Sequence, residues 1–215
     1  MSLTLYYHPL ASYCWKVLIA LYEQDTPFTP LLVDLADPAA RAEFQTVWPL
    51  AKFPVLRDEA RDRIVPESTI IIEYLAHHYP GPTPLVPTEP DLALEARLCD
   101  RFYDLYVHEP MQRLVFDRLR PADQRDPLGV AGARATLDTA YAMIEGALAT
   151  RTWATGATFT LADCAAAPAL YYADRVHPLG AAHPHTAAYL ARVLARPSFA
   201  RVVAEAQPYL ASFPG

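Results

Sequence analysis

Three short stretches carry side chains whose types and spacing could do chemistry. The first is Leu3-Thr4-Leu5-Tyr6-Tyr7-His8-Pro9-Leu10-Ala11-Ser12-Tyr13-Cys14-Trp15-Lys16-Val17. Alternation over Leu3–Tyr7 reads as a strand, and Pro9 stops it. Apolar Val17, Leu18, Leu21 and Tyr22 follow at helical spacing, so a helix begins near Ser12. Ser12 then sits among unpaired N–H groups at the positive end of a helix dipole, where an anion is favoured. A serine there also suits plain capping. The second stretch is Pro66-Glu67-Ser68, again at a helix start. A hydroxyl beside free N–H groups suits a carboxylate, and Glu67 suits an ammonium. Capping by Ser68 with a solvated Glu67 is the simpler use. The third stretch is Lys52-Phe53-Pro54-Val55, with a proline directly ahead of a short strand. Lys52 and Lys16 are the lysines of the chain, and the remainder of its 18 basic residues are arginine.

The elements that must position these stretches follow from local signals. After the first helix, 28–34 reads as a strand at a sheet edge, because Pro30 cannot donate to a ladder. Pro38 opens a helix over 38–47 after Asp37. Short strands at 55–57 and 63–65 form a hairpin. A helix from Ser68 carries Ile70, Ile71, Tyr74 and Leu75 on one side. The order is βαβαββα. A Pro-rich connection, 81–90, separates residues 1–80 from an all-helical remainder, 91–215. That remainder begins with a long helix over 91–119, bent at Pro110. A second helix covers 128–150. Thr160-Leu161-Ala162-Asp163 is a capping box, with Phe159 placed to pack on Cys164, and it starts a helix to 176. Helices at 185–195 and 198–206 follow.

Composition narrows the function classes. The 215 residues are 53% hydrophobic, ample for a core. A net charge of −6 argues against a nucleic-acid footprint. No run approaches the ~18 apolar residues of a membrane span, and no secretory leader is recognisable. Cys14, Cys99 and Cys164 lie far apart with no metal spacing, which reads as reduced thiols in a cytoplasmic protein with no bound metal.

The βαβαββα unit, the Pro-rich linker and the helical half resemble the cytosolic glutathione transferases over essentially the whole chain. Four matches carry the resemblance: the Ser12 turn followed by Trp15-Lys16-Val17, the Lys52-Phe53-Pro54-Val55 segment, Glu67-Ser68, and the Thr160-x-x-Asp163 box. Serine-dependent, theta- or zeta-like bacterial members are the nearest in character, although Ala11-Ser12-Tyr13-Cys14 departs from the zeta Ser-Ser-Cys signature. The resemblance implies an N-terminal thioredoxin-like domain, a C-terminal helical bundle and a homodimer. It implies glutathione as co-substrate, with Phe53's backbone, ahead of a cis Pro54, pairing with the extended tripeptide. Glu67 and Ser68 would take the γ-glutamyl group, and Lys52 the glycine carboxylate. Ser12 would donate a hydrogen bond to the thiolate, with Tyr7 as the alternative. Cys14 points into packing, and a thioredoxin-type Cys-x-x-Cys is absent.

The implied activity is conjugation of glutathione to small hydrophobic electrophiles. Isomerisation, peroxide reduction on the same site, or non-catalytic ligand binding are the alternatives. The electrophile would lie between the halves, against Tyr103, Tyr106, Val107, Met111 and Phe116, with core packing the simpler use of each. His108 reads as a surface histidine, with a polar place in that wall as the alternative.

Overall fold

The computed structural model describes residues 3–211; the ends of the expected 1–80 and 91–215 spans lie outside these. Alternation decides the faces of the sheet. In β1 (Leu3–Tyr7), Leu3 and Leu5 enter the main core, while Tyr6 stacks on Phe44 on the opposite face. β2 (Thr29–Leu32) runs parallel to β1 at the sheet edge, where Pro30 leaves no ladder bond missing. β3 (Val55–Asp58) and β4 (Arg63–Pro66) form the expected hairpin, and β3 pairs antiparallel with β1. The strand order is β2-β1-β3-β4. Leu56 joins the main core, whereas Val55 joins Val33, Phe44 and Ala51 in a smaller cluster.

Three helices belong to this part. α1 (Ser12–Glu23) buries Trp15, Leu18 and Ile19 in the main core. α2 (Pro38–Val47) begins with Asp37 capping the Ala39 N–H and places Phe44 in the smaller cluster. α3 (Ser68–His78) buries Ser68, Ile71, Ile72 and Leu75, a spacing of three, four and seven. Ile70 is therefore turned outward and 54% exposed, contrary to the expected face.

The remainder of the described chain is helical: α4 (Pro90–Phe102), α5 (Glu109–Leu119), α6 (Pro127–Leu148), α7 (Leu161–Val176), α8 (Pro184–Ala195) and α9 (Pro197–Leu210). One long helix was expected over 91–119. Instead a π-helical turn, Tyr103–His108, separates α4 from α5. Pro110 has no N–H to offer the carbonyl four residues back, so the ladder loosens one turn before it. The capping box of α7 is complete: Ala162 N–H donates to the Thr160 hydroxyl, and Thr160 N–H donates to Asp163. α7 is buried along most of its length, and α1 lies against it through Trp15, whose ring sits 5.0 Å from Tyr171 and 4.8 Å from Tyr172. One core thus runs through the sheet-bearing part and the helical part alike.

Candidate functional site

The turn that delivers Ser12 is held from three directions. Ala11 N–H donates to the His8 carbonyl at 3.0 Å, the Trp15 indole to the Pro9 carbonyl at 2.5 Å, and the Tyr172 hydroxyl to the Leu10 carbonyl at 3.1 Å. Ala11 occupies the N-cap position, so Ser12 is the first helical residue and its hydroxyl makes no capping bond. The Ser12 Oγ instead lies 2.5 Å from His108 Nε2.

His108 is not a surface residue. It closes the π-helical turn with 1% exposure, and Tyr13 stacks on its ring at 3.8 Å and 12°. Burial, reinforced by the nearby Lys16 charge, pushes the imidazole pKa down to about 3, so the ring is neutral at physiological pH.

Lys16 lies one turn along α1 from Ser12 and is itself 1% exposed. Its ammonium is 2.6 Å from Asp100, 2.9 Å from Asp104 and 2.9 Å from the Thr69 hydroxyl. Arg101 adds a contact to Asp104 at 3.2 Å. Burial nevertheless raises the Asp104 carboxyl pKa, against the pull of Lys16. Asp104 Oδ1 has no hydrogen-bond partner among the described residues.

Two adjoining cavities share part of their walls, and Ser12 lines one of them. The first, about 510 Å³, brings together Lys52, Phe53, Pro54, Glu67 and Ser68, and Asp104 forms part of its wall. The Phe53-Pro54 bond is cis, as the resemblance implied. Glu67, at φ 70°, is the N-cap of α3 through its backbone, which leaves Ser68 as the first helical residue. The second cavity, about 480 Å³, is lined by Ser12 with His8, Leu35, Met111, Val115 and Phe116. Phe53 and Gln112 border both cavities. A polar pocket and an apolar pocket therefore adjoin at Phe53 and Gln112, with the Ser12 hydroxyl on the apolar side.

Several expected residues lie elsewhere. Tyr7 borders neither cavity; its phenol is held above its usual pKa by burial and by Glu205 of α9. Tyr103 and Val107 belong to the core, 5% and 0% exposed. Tyr106 lines a separate depression with Phe102 and Met143 against α6. Tyr103, Val107 and Met111, four residues apart, share one buried face, and of these only Met111 also lines the apolar cavity. The residues missed were Lys16, Asp104, His108 and Gln112. Asp104, His108 and Gln112 recur every four residues, a spacing visible in the sequence but outweighed there by the aromatic positions between them.

Residues 5–83 match the family model of the glutathione S-transferase N-terminal domain, and residues 115–192 that of its C-terminal domain. A glutathione S-transferase from Methylobacterium radiotolerans, solved with glutathione sulfonate, superposes with a TM-score of 0.83 at 32% identity, covering 94% of this chain and 95% of that one. The chain belongs to the glutathione S-transferase family. The expected thioredoxin-like sheet and helical bundle are those of this transferase fold. GstB of Escherichia coli K12, another glutathione S-transferase, is 26% identical across 87% of this chain and 91% of its own. The chain is also similar to proteins with other names: a stringent starvation protein A homolog of Coxiella burnetii is 28% identical over 99% of this chain and 97% of its own.

Proposed function

We propose that this transferase binds glutathione in the polar cavity and adds its sulfur to hydrophobic electrophiles held in the apolar one. The observation that carries this is the Ser12–His108 pair at 2.5 Å, with Ser12 lining the apolar cavity that shares Phe53 and Gln112 with the polar one. Glu67 supplies a carboxylate for the γ-glutamyl ammonium, and the Ser68 hydroxyl with the start of α3 suits its carboxylate. Phe53's backbone N–H and C=O have no hydrogen-bond partner among the described residues, which leaves them for main-chain pairing with an extended peptide. Lys52 borders the same cavity and suits the glycine carboxylate.

A thiol with an ordinary pKa near ~8.5 is only a few per cent ionised at neutral pH. Neutral His108 donates from Nε2 to the Ser12 oxygen, so the hydroxyl proton points at sulfur and favours the thiolate. Serine is here a donor, neither nucleophile nor base. The thiol proton passes to solvent.

The alternative is a glutathione- or ligand-binding protein with negligible turnover; the stringent starvation protein A homolog is a similar protein whose name is not that of a transferase. Isomerisation and peroxide reduction would use the same thiolate. Ultraviolet difference absorbance of bound glutathione at pH 7, followed by an electrophile panel, separates these. Thiolate absorbance with conjugate formation is the expected result. Binding of glutathione as the neutral thiol, with no turnover, overturns the transferase reading.

We also propose a cytoplasmic homodimer. Leu94 and Leu98, one turn apart on α4, are 66% and 68% exposed, a burial surface without a partner in one protomer. No helix of the described residues is long and apolar enough to cross a membrane.

A further inference from the structure

The apolar cavity contains one ring whose protonation is settled by its surroundings. His8, directly after β1, lines it together with Ser12, Phe53 and Met111. Its imidazole stacks on Phe53 at 6.0 Å and 17°, and meets Tyr209 edge-on at 6.2 Å. The Leu10 N–H donates to His8 Nδ1 at 3.2 Å. Nδ1 therefore offers a lone pair, and the proton of the neutral ring must reside on Nε2. Burial lowers the ring's pKa below its ordinary 6.5 despite the opposing charge of Asp34, so it is neutral at pH 7. Nε2–H has no hydrogen-bond partner among the described residues.

An uncharged N–H with its tautomer fixed is a donor suited to an oxygen that becomes negative during reaction. The other polar groups on this wall are committed or off to one side. The Ser12 hydroxyl is engaged with His108, and Gln112 sits at the border with the polar cavity.

We propose that His8 donates Nε2–H to the carbonyl oxygen of α,β-unsaturated carbonyl electrophiles, stabilising the enolate formed as glutathione adds, and so directs this transferase towards conjugate acceptors. The inference rests on the conjugation reading above. In this step the thiolate sulfur forms a bond to the β-carbon. The alkene π pair shifts towards the α-carbon and the carbonyl π pair moves onto oxygen. Water then protonates the α-carbon and the carbonyl is restored. His8 keeps its proton throughout. An alkyl halide has no such oxygen, because its electron pair leaves on the halide.

The test compares kcat/KM for benzylideneacetone and benzyl chloride in wild type and three variants. His8→Phe keeps the ring stack and loses both nitrogens. His8→Asn places an acceptor where Nδ1 was, preserving the Leu10 bond, but has no donor at the reach of Nε2. His8→Gln places an amide N–H near that reach. The benzylideneacetone-to-benzyl chloride ratio should fall about 10- to 30-fold in His8→Phe and His8→Asn, less than loss of a donor at a dedicated oxyanion hole because His8 is half-buried. His8→Gln should recover part of it. A ratio unmoved in His8→Asn overturns the inference, whatever the fate of His8→Phe, since it shows that the ring only holds the turn. A wild type that conjugates benzyl chloride and not benzylideneacetone overturns it as well. No conjugation of either compound overturns the transferase reading, and this inference with it.

Discussion

Replacing Ser12 by Ala, His108 by Phe, and both together tests whether the two residues act as one unit. Moving a thiol proton from ~8.5 onto an imidazole held at about 3 is uphill by about 5 units, or roughly 7 kcal/mol. His108 is therefore not the base, and its influence must pass through the Ser12 hydroxyl. A donor at a dedicated oxyanion hole is worth about 2.7–4 kcal/mol. The start of α1 still faces the sulfur in Ser12→Ala, so the loss should be smaller, about 1.4–2.7 kcal/mol. That raises the bound thiol's pKa by about one to two units and lowers turnover about 10- to 100-fold at neutral pH. Glutathione affinity should stay within about three-fold, because the peptide ends are held by other residues. His108→Phe keeps the stack on Tyr13 and releases the serine, which forfeits one neutral hydrogen bond of about 0.5–1.5 kcal/mol, or about two- to ten-fold. The double variant should be no worse than Ser12→Ala alone. The assays are thiolate absorbance of bound glutathione against pH and a pH–rate profile for each variant. Losses that add in the double variant would refute the relay. So would an acid limb near pH 6.5 that disappears in His108→Phe, which would make the imidazole the base. Tyr7→Phe should change little, and an upward shift of the thiol pKa in that variant alone would transfer the role to Tyr7.

Three further outcomes follow from buried groups and the exposed face of α4. His108 titrates near 3 folded against about 6.5 unfolded, so between these values the unfolded chain binds an extra proton and stability falls as pH drops, by up to about 4–5 kcal/mol. Denaturant melts from pH 7 to pH 4 should show this slope flattened in His108→Phe, and identical slopes would contradict it. Asp163 accepts from Ala154 N–H at 2.8 Å, Thr160 N–H at 2.9 Å and the Tyr189 hydroxyl at 2.7 Å, all buried. Asp163→Ala leaves these donors unpaired and should destabilise by about 3–5 kcal/mol without altering glutathione contacts; an unchanged melting temperature would count against it. Leu98→Glu should yield a monomer by light scattering at micromolar concentration, and a monomeric wild type would remove the dimer proposal.

Much of the fold was legible because it is written in local rules. Strand alternation with Pro9 bounded β1, Asp37-Pro38 started α2, and Thr160 with Asp163 started α7. Each signal acts within four or five residues, and each element forms where its signal stands. Glu67 and Ser68 were legible for the same reason, since a helix start advertises its free N–H groups. His108 was not. Its partner is 96 residues away in sequence, and nothing near it distinguishes a buried imidazole from a solvated one. The aromatic wall was not legible, because spacing alone does not tell a core face from a pocket face: Tyr103, Val107 and Met111 share a buried face, and of these only Met111 also lines the cavity.

That turn also explains why a lysine is buried here. Ser12 and Lys16, four residues apart, present one stripe of α1. Asp100, Asp104 and His108, again four apart, present the facing stripe across the end of α4 and the π-helical turn. Residue pairs therefore meet at successive levels: the hydroxyl with the imidazole, and the ammonium with two carboxylates. A single buried charge would be expensive, but Lys16 meets Asp100 and Asp104 within 3 Å and adds the Thr69 hydroxyl, so the charge is compensated on several sides. The compensation is incomplete on the acidic side, where Asp104 Oδ1 has no partner and Asp104 borders the polar cavity. The same ammonium lies near enough to His108 to oppose its protonation. One cation thus ties α1 to the π-helical turn and adds to the burial that holds the imidazole neutral beside Ser12.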